Sequence, residues 1–201
     1  TLDTGTTDSE HGILASDDDN KITVSNEGHI ITGGDDASGI YHTGDSNTNT
    51  VSGSITTTGD DSYGIHNKGD TNTTTVSGSI TTGGVDSTGI WDNGDTNTTT
   101  LTSTGVITVN GAEADGIYNG GVNNITIVHG SIFVNGNGES RSGDWSSGIS
   151  NIGNTNTTTL SGSIKGTGDY LAGIYNEGDS NTTTVSGSIT TDGTEAYGIS
   201  N

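Results

Sequence analysis

Five histidines and 25 acidic residues are the groups in this 201-residue chain best suited to holding a metal or moving a proton. His11, His29, His42, His66 and His129 show no H-x-x-x-H or other paired-ligand spacing of the kind a zinc site uses. Cysteine is absent, which removes thiolate ligands and the thiol nucleophile. No G-x-S-x-G elbow occurs, and the glycines lack the Lys-bearing loop and strand-to-helix switch that make a phosphate cradle. No acid stands out from its repeated neighbours. The expectation is a non-enzyme with no catalytic residue and no required cofactor.

What the acids do show is period. Asp45, Asp70, Asp95, Asn154 and Asp179 occupy equivalent places after a glycine, and Asp60, Asp61, Asp86, Asp115, Asp169 and Asp192 form a second acidic series. Carboxylates stacked about 4.8 Å apart repel, and calcium with its oxygen ligands would relieve that repulsion. The GGxGxD pattern of calcium-binding β-rolls is missing, however, and solvated acidic turns are the simpler account.

The period itself is set by the dipeptide Gly-Ile, at Gly12, Gly39, Gly64, Gly89, Gly116, Gly148, Gly173 and Gly198, with spacings of 27, 25, 25, 27, 32, 25 and 25 residues. Residues 39–63 read GIYHTGDSNTNTVSGSITTTGDDSY and residues 64–88 read GIHNKGDTNTTTVSGSITTGGVDST. Composition alone would place the chain among disordered proteins, since 25% of residues are hydrophobic and the formal charge is −21. The fixed aliphatic places overrule that default. Thr, Val, Ile and Tyr favour strands, and the Gly, Asn, Asp and Ser clusters favour turns. Short strands between tight turns at a constant period predict an all-β fold, a parallel β-solenoid of about seven coils of roughly 25 residues. The coils are 12–38, 39–63, 64–88, 89–115, 116–147, 148–172 and 173–197, within one domain spanning 1–201.

Alternation orients the side chains. Reading residues 72–81 as one strand, Asn72, Thr74, Val76, Gly78 and Ile80 point inward, while Thr73, Thr75, Ser77, Ser79 and Thr81 point out. Ile65 points inward and His66 outward. Each coil then buries about three large aliphatics, such as Ile65, Val76 and Ile80, which suffices only when coils stack. The sequon asparagines Asn72, Asn97, Asn124, Asn156 and Asn181 face inward and suit a hydrogen-bonded ladder better than glycosylation. Asn67, Asn119, Asn151, Asn176 and Asn201 suit another. The 32-residue coil carries an insertion, NGNGESRSGDWSS, with Arg141 and Trp145, either a tolerated surface bulge or a functional loop.

Stacking turns each place into a column. Thr48 and Thr50, Thr73 and Thr75, Thr98 and Thr100, Thr157 and Thr159, and Thr182 and Thr184 form two outward threonine ranks, interrupted by Ile125-Thr126-Ile127. Neighbours would lie about 6.7 Å apart along a strand and about 4.8 Å apart between coils. Such ranks stabilise a sheet in their own right. The grid also resembles the surface of β-solenoid antifreeze proteins, and that resemblance implies ice as the partner. A second column, Tyr41, His66, Trp91, Tyr118, Ser150, Tyr175 and Ser200, is aromatic in five of seven places counting His66. It could stack coil on coil, or present rings to sugars or to a sister molecule.

Four basic residues, Lys21, Lys68, Arg141 and Lys165, disfavour nucleic acid and anionic lipid as partners. No apolar run is long enough for a transmembrane helix, so no direct membrane insertion is expected. The chain starts and stops within the repeat, and is expected to be an excerpt of a longer polypeptide whose targeting signals lie elsewhere. Its SGIYN, GDSNTTTVSGSITT and DGTEAYGI segments resemble the low-complexity passenger repeats of bacterial autotransporter-type surface proteins and adhesins, most cleanly over 39–100 and 148–201. The resemblance implies a right-handed β-helical stalk outside a Gram-negative cell, extracellular, with adhesion to glycans or self-association as its role.

Overall fold

The computed structural model describes residues 1–138 and 145–201. Arg141, in the insertion, lies outside the described residues. One coil suffices to explain the architecture. Ile65–Asn67, Thr73–Val76 and Ser79–Thr82 are its three strands, each three or four residues long and rich in β-branched side chains. Each pairs with its equivalents one coil below and one coil above, always in parallel. Three parallel sheets result. The Gly-Ile sheet and the Ser-Ile sheet each have eight strands, and the threonine sheet has seven. The chain is a parallel β-solenoid, and among the described residues no helix is long and apolar enough to cross a membrane.

Residues 72–81 differ from the single strand that alternation predicts. Val76 ends a strand of the threonine sheet and Ser79 begins one of the Ser-Ile sheet, with Ser77 and Gly78 turning the corner. A side chain at Gly78 would collide with the Gly53 carbonyl one coil below, so the corner is glycine for want of room. The two-residue corner preserves the inward set. Asn72, Thr74, Val76 and Ile80 are all buried.

The core is three aliphatic columns. Ile40, Ile65, Ile90, Ile117, Ile149 and Ile174 stack in register, as do Val51, Val76, Leu101, Val128 and Leu160, and Ile55, Ile80, Ile107, Ile132 and Ile164. These side chains are at most 1% exposed. Apolar burial of about 25 cal/mol per Å2 makes every such rung a stabilising contribution that no coil could collect alone. The longer coils hold the same register. Ile117 pairs with Ile149 and Ile132 with Ile164, so the extra residues of the 32-residue coil fall between Val134 and Ile149.

Polar groups inside are laddered. The Asn72 Oδ1 accepts the Asn47 backbone N–H at 2.7 Å, Asn97 accepts from Asn72 at 2.7 Å, Asn124 from Asn97 at 2.7 Å and Asn156 from Asn124 at 2.8 Å. The second ladder runs through side chains: the Asn119 amide donates to Asn151 at 2.8 Å, Asn151 to Asn176 at 2.7 Å and Asn176 to Asn201 at 2.7 Å. Each amide also reaches across the corner to the threonine sheet, as Asn151 does to Thr158 at 3.1 Å. Burial without such partners would cost about 1–3 kcal/mol per group.

The acidic turns have their own ladder. Asp45 Oδ1 accepts the Asp70 N–H at 2.8 Å, and Asp70 Oδ1 accepts the Asp95 N–H at 2.8 Å. At the second turn Asp35 accepts from Asp60 at 2.9 Å and Asp60 from Val85 at 2.8 Å. The residue that follows each acid has positive φ, as Thr71 (58°) and Asp61 (52°) do, and its N–H points the other way, Thr71 donating to the Asp95 carbonyl at 2.9 Å. A β-branched residue in that conformation is costly and persists because bonds on both sides fix it. Two members leave the expected acidic series. Asp192 ends the strand Ser188–Asp192 in register with Thr167. Asp115 is the other. It is buried at 8% exposure, directly before Gly116, and the turn place in its coil belongs to Glu113, with φ 55°. Its spacing from Gly-Ile matches Tyr63 and Thr88 rather than Asp61 and Asp86.

Candidate functional site

The aromatic column is continuous over four coils, from Tyr41 to Tyr118, and His11, from the place before Gly12, caps it. His11 stacks on Tyr41 with ring centroids 4.4 Å apart, Tyr41 meets His66 at 4.9 Å, His66 meets Trp91 at 5.5 Å, and Trp91 meets Tyr118 at 4.9 Å. Their strands set this spacing, since Tyr41, His66, Trp91 and Tyr118 are paired in register. Ser150 takes the next place and Tyr175 the one after it. His66 stands in the outward row, in register with Tyr41 and Trp91, but it is not open to solvent. It is 7% exposed, covered by Tyr63, whose ring lies 4.8 Å from it and 4.4 Å from Trp91. Burial depresses the His66 pKa to about 3, helped by the charge of Lys68 and of His11. The column therefore begins as packing, with each ring pair supplying about 0.5–1.5 kcal/mol beyond area.

Beyond Trp91 the column opens into a groove of about 390 Å3. Tyr63, Trp91, Tyr118, Trp145 and Tyr175 supply its aromatic walls. Asp61, Asp86, Glu113, Asp115 and Glu177 supply carboxyl groups, and no Lys or Arg lines it among the described residues. The Tyr175 hydroxyl donates to Glu177 Oε2 at 3.1 Å. Asp115 accepts the Ser147 N–H at 2.6 Å, and burial pushes its pKa up to about 8, so at neutral pH it carries a proton. Burial also raises the Tyr118 phenol, with the Asp115 and Glu177 charges adding to it. A groove walled by rings and edged by carboxyl groups can stack on the face of a flat ligand and accept hydrogen bonds from its edge.

Of the predicted column, Tyr41 and His66 stand outside the groove and Trp91, Tyr118 and Tyr175 line it. Tyr63 and Trp145 were not expected there. Tyr63 sits just before Gly64, and the place before each Gly-Ile reads His11, Ser38, Tyr63, Thr88, Asp115, Ser147, Ala172 and Tyr197. That second ring-bearing series was the signal. Trp145 follows the undescribed residues and packs near Tyr197, with ring centroids 5.2 Å apart.

The threonine ranks are in register along the whole sheet. Lys21, Thr48, Thr73, Thr98, Ile125, Thr157 and Thr182 form one rank, and Thr23, Thr50, Thr75, Thr100, Ile127, Thr159 and Thr184 the other. Ile125 is 42% exposed within this face. The Ser-Ile strands, which continue the chain, lie on a different sheet.

Among the described residues no group of three or more His, Cys, Asp or Glu side chains converges as a metal site. In the turn ladders, backbone N–H groups of the adjacent coil bind the carboxylates, as the Asp70 N–H does Asp45. No protein-family model matches the chain, and no curated protein or solved structure does.

Proposed function

We propose that the chain is a structural and adhesive repeat module, displayed outside a bacterial cell, that binds glycans through the groove over its aromatic column. The observation that carries this is the groove itself: five aromatic walls and a carboxyl rim in one concavity of about 390 Å3. Aromatic faces stack on the apolar faces of sugar rings, and carboxyl oxygens accept from sugar hydroxyls. The solenoid serves as the rigid element that spaces these side chains. The module is taken to be non-catalytic and to act by binding. Titration with a panel of immobilised oligosaccharides tests it: the protein binds a subset, and the double variant Trp91→Ala, Tyr118→Ala loses that binding while keeping its β-sheet circular dichroism. Unchanged binding by the variant removes the site from consideration.

The registered threonine ranks favour a second reading, an ice-binding solenoid. Two parallel rows of Thr on one sheet are its support, and Ile125 with Ile127 interrupts them. Ice-binding predicts thermal hysteresis and faceted crystals, both lost in Thr75→Tyr. Round crystals grown with the unaltered protein eliminate it.

A further inference from the structure

The chain contains Asn-Gly steps at Asn93, Asn110, Asn119, Asn135 and Asn137. Asparagine before glycine is chemically labile, because glycine has no side chain to shield its backbone nitrogen from the asparagine side-chain carbonyl carbon. The fold treats these steps differently. Asn119 is 1% exposed, its amide donates to Thr126 at 3.0 Å and to Asn151 at 2.8 Å, and the Gly120 N–H donates to the Asp92 carbonyl at 2.8 Å. Asn137 accepts the Asp169 N–H at 3.1 Å, and the Gly138 N–H donates to the Asp169 carbonyl at 3.0 Å. Asn135 and Asn110 hold each other, the Asn135 amide donating to Asn110 Oδ1 at 2.9 Å while Asn110 donates to the Thr82 carbonyl at 3.2 Å.

Asn93 is tied by none of these. Its side chain is exposed and makes no hydrogen bond among the described residues, and the Gly94 N–H finds no protein acceptor among them. The next coil gives the side chain room. Gly120 stands at the equivalent place, and Asn93 Oδ1 lies 2.9 Å from the point where a Gly120 side chain would begin. We infer that Asn93 is a self-modification site, whose side-chain amide is converted to aspartate and isoaspartate without an enzyme.

The Gly94 nitrogen bonds to the Asn93 side-chain carbonyl carbon as the bond from that carbon to the amide nitrogen breaks. The Gly94 proton leaves with the amide group as ammonia, and a cyclic imide remains. Water then opens the ring. Attack at the side-chain carbonyl gives aspartate, and attack at the main-chain carbonyl gives isoaspartate. Isoaspartate adds a methylene to the backbone just after the strand Ile90–Asp92 and shortly before Asp95. Asp95 joins its coil to both neighbours: its N–H donates to Asp70 Oδ1 at 2.8 Å, its carbonyl accepts the Thr71 N–H at 2.9 Å, and its Oδ1 accepts the Val122 N–H at 2.9 Å. The longer backbone disturbs that turn, so the modification loosens the solenoid near its middle.

Incubating the folded protein at pH 8 and 37 °C, with peptide mapping by mass spectrometry, reads the exchange of NH for O at each step. Asn93 is expected to convert about tenfold or more faster than the other Asn-Gly steps, whereas in concentrated urea all of the rates converge, because the tied steps need local opening first. Melting temperature falls in step with the isoaspartate fraction, and Asn93→Thr, which copies the residue at the equivalent place Thr43, keeps its melting temperature through the same incubation. Conversion of another step ahead of Asn93 in the folded protein overturns the inference. So does an Asn93 that stays unchanged while the urea-unfolded chain converts. A lead for Asn93 of the same size in urea would trace it to neighbouring residues instead of the fold, and overturns the inference as well. An equal loss of melting temperature in Asn93→Thr overturns the loosening of the turn.

Discussion

The Asn67 side-chain amide donates to the Asp92 carboxylate one coil away at 2.7 Å, in the interior of the solenoid. The other Asp92 oxygen accepts the Thr99 hydroxyl at 2.7 Å. Asp92 is 1% exposed, and burial raises its pKa against the pull of these two donors. The same column carries Asn119, Asn151 and Asn176 in other coils, so a carboxyl group stands where an amide would accept from Asn67 through its oxygen and donate to the Thr99 hydroxyl, as Asn151 does to Thr158 at 3.1 Å, with no charge to desolvate. Asp92→Asn is expected to stabilise the fold at pH 7 and above by about 1–3 kcal/mol, and Asp92→Leu to destabilise it by a similar amount because Asn67 and Thr99 lose their acceptor. Urea denaturation of the two variants distinguishes the signs.

Gly64 illustrates why every repeat begins with glycine. A methyl group there would fall on the Ile80 Cγ2 and 2.5 Å from the Gly89 carbonyl oxygen of the next coil. Neither neighbour can retreat, since one is core and the other is backbone. Gly64→Ala is expected to cost about 2 kcal/mol or more, through overpacking. Gly83, where the nearest atoms lie 3.7 Å from an added methyl, should accept alanine with little change in melting temperature.

Two buried groups give stability opposite pH dependences. Asp115 holds its proton up to about pH 8 when folded, against about 4 when unfolded. Folding takes up a proton between those values, so its contribution is full below about pH 4, falls as pH rises towards 8, and is level beyond. His66 titrates at about 3 when folded and about 6.5 when unfolded, so stability falls as pH drops from 6.5 towards 3. Asp115→Asn should remove part of the loss between pH 6 and 8, and His66→Phe, which keeps a ring in the stack, part of the loss between pH 6 and 4. Melting temperatures across pH 4–9 read both.

Chelation is expected to leave the melting temperature unchanged, because the turn carboxylates already accept backbone N–H groups of the adjacent coil, as Asp45 does from Asp70. A fall on adding EDTA, reversed by calcium, would show that the stacked acids need a cation after all.

Much of the solenoid was legible because its period is written in residue types that have few alternatives. Gly-Ile marks a place with no room for a side chain, and Val76 and Ile80 mark inward places whatever happens between them. The corner at Ser77 and Gly78 was not legible, since a two-residue turn leaves the alternation of 72–81 undisturbed. Asp115 was misplaced for a related reason: an acid in an acidic stretch carries no mark of which row it joins when coil lengths vary. The groove was half legible. Trp91, Tyr118 and Tyr175 belong to one row, but Tyr63 and Trp145 come from other places, and only coordinates bring different rows side by side.

The alternating directions of the turn N–H groups have a mechanical consequence. Because Asp70 bonds downward and Thr71 upward, a pull along the axis loads backbone bonds between coils, and an end coil can be peeled only by breaking three short strands and two turns together. Tension should then release the molecule in steps of one 25-residue coil, each freeing about 85 Å of extended chain, so that a tethered stalk would yield length gradually under shear instead of snapping.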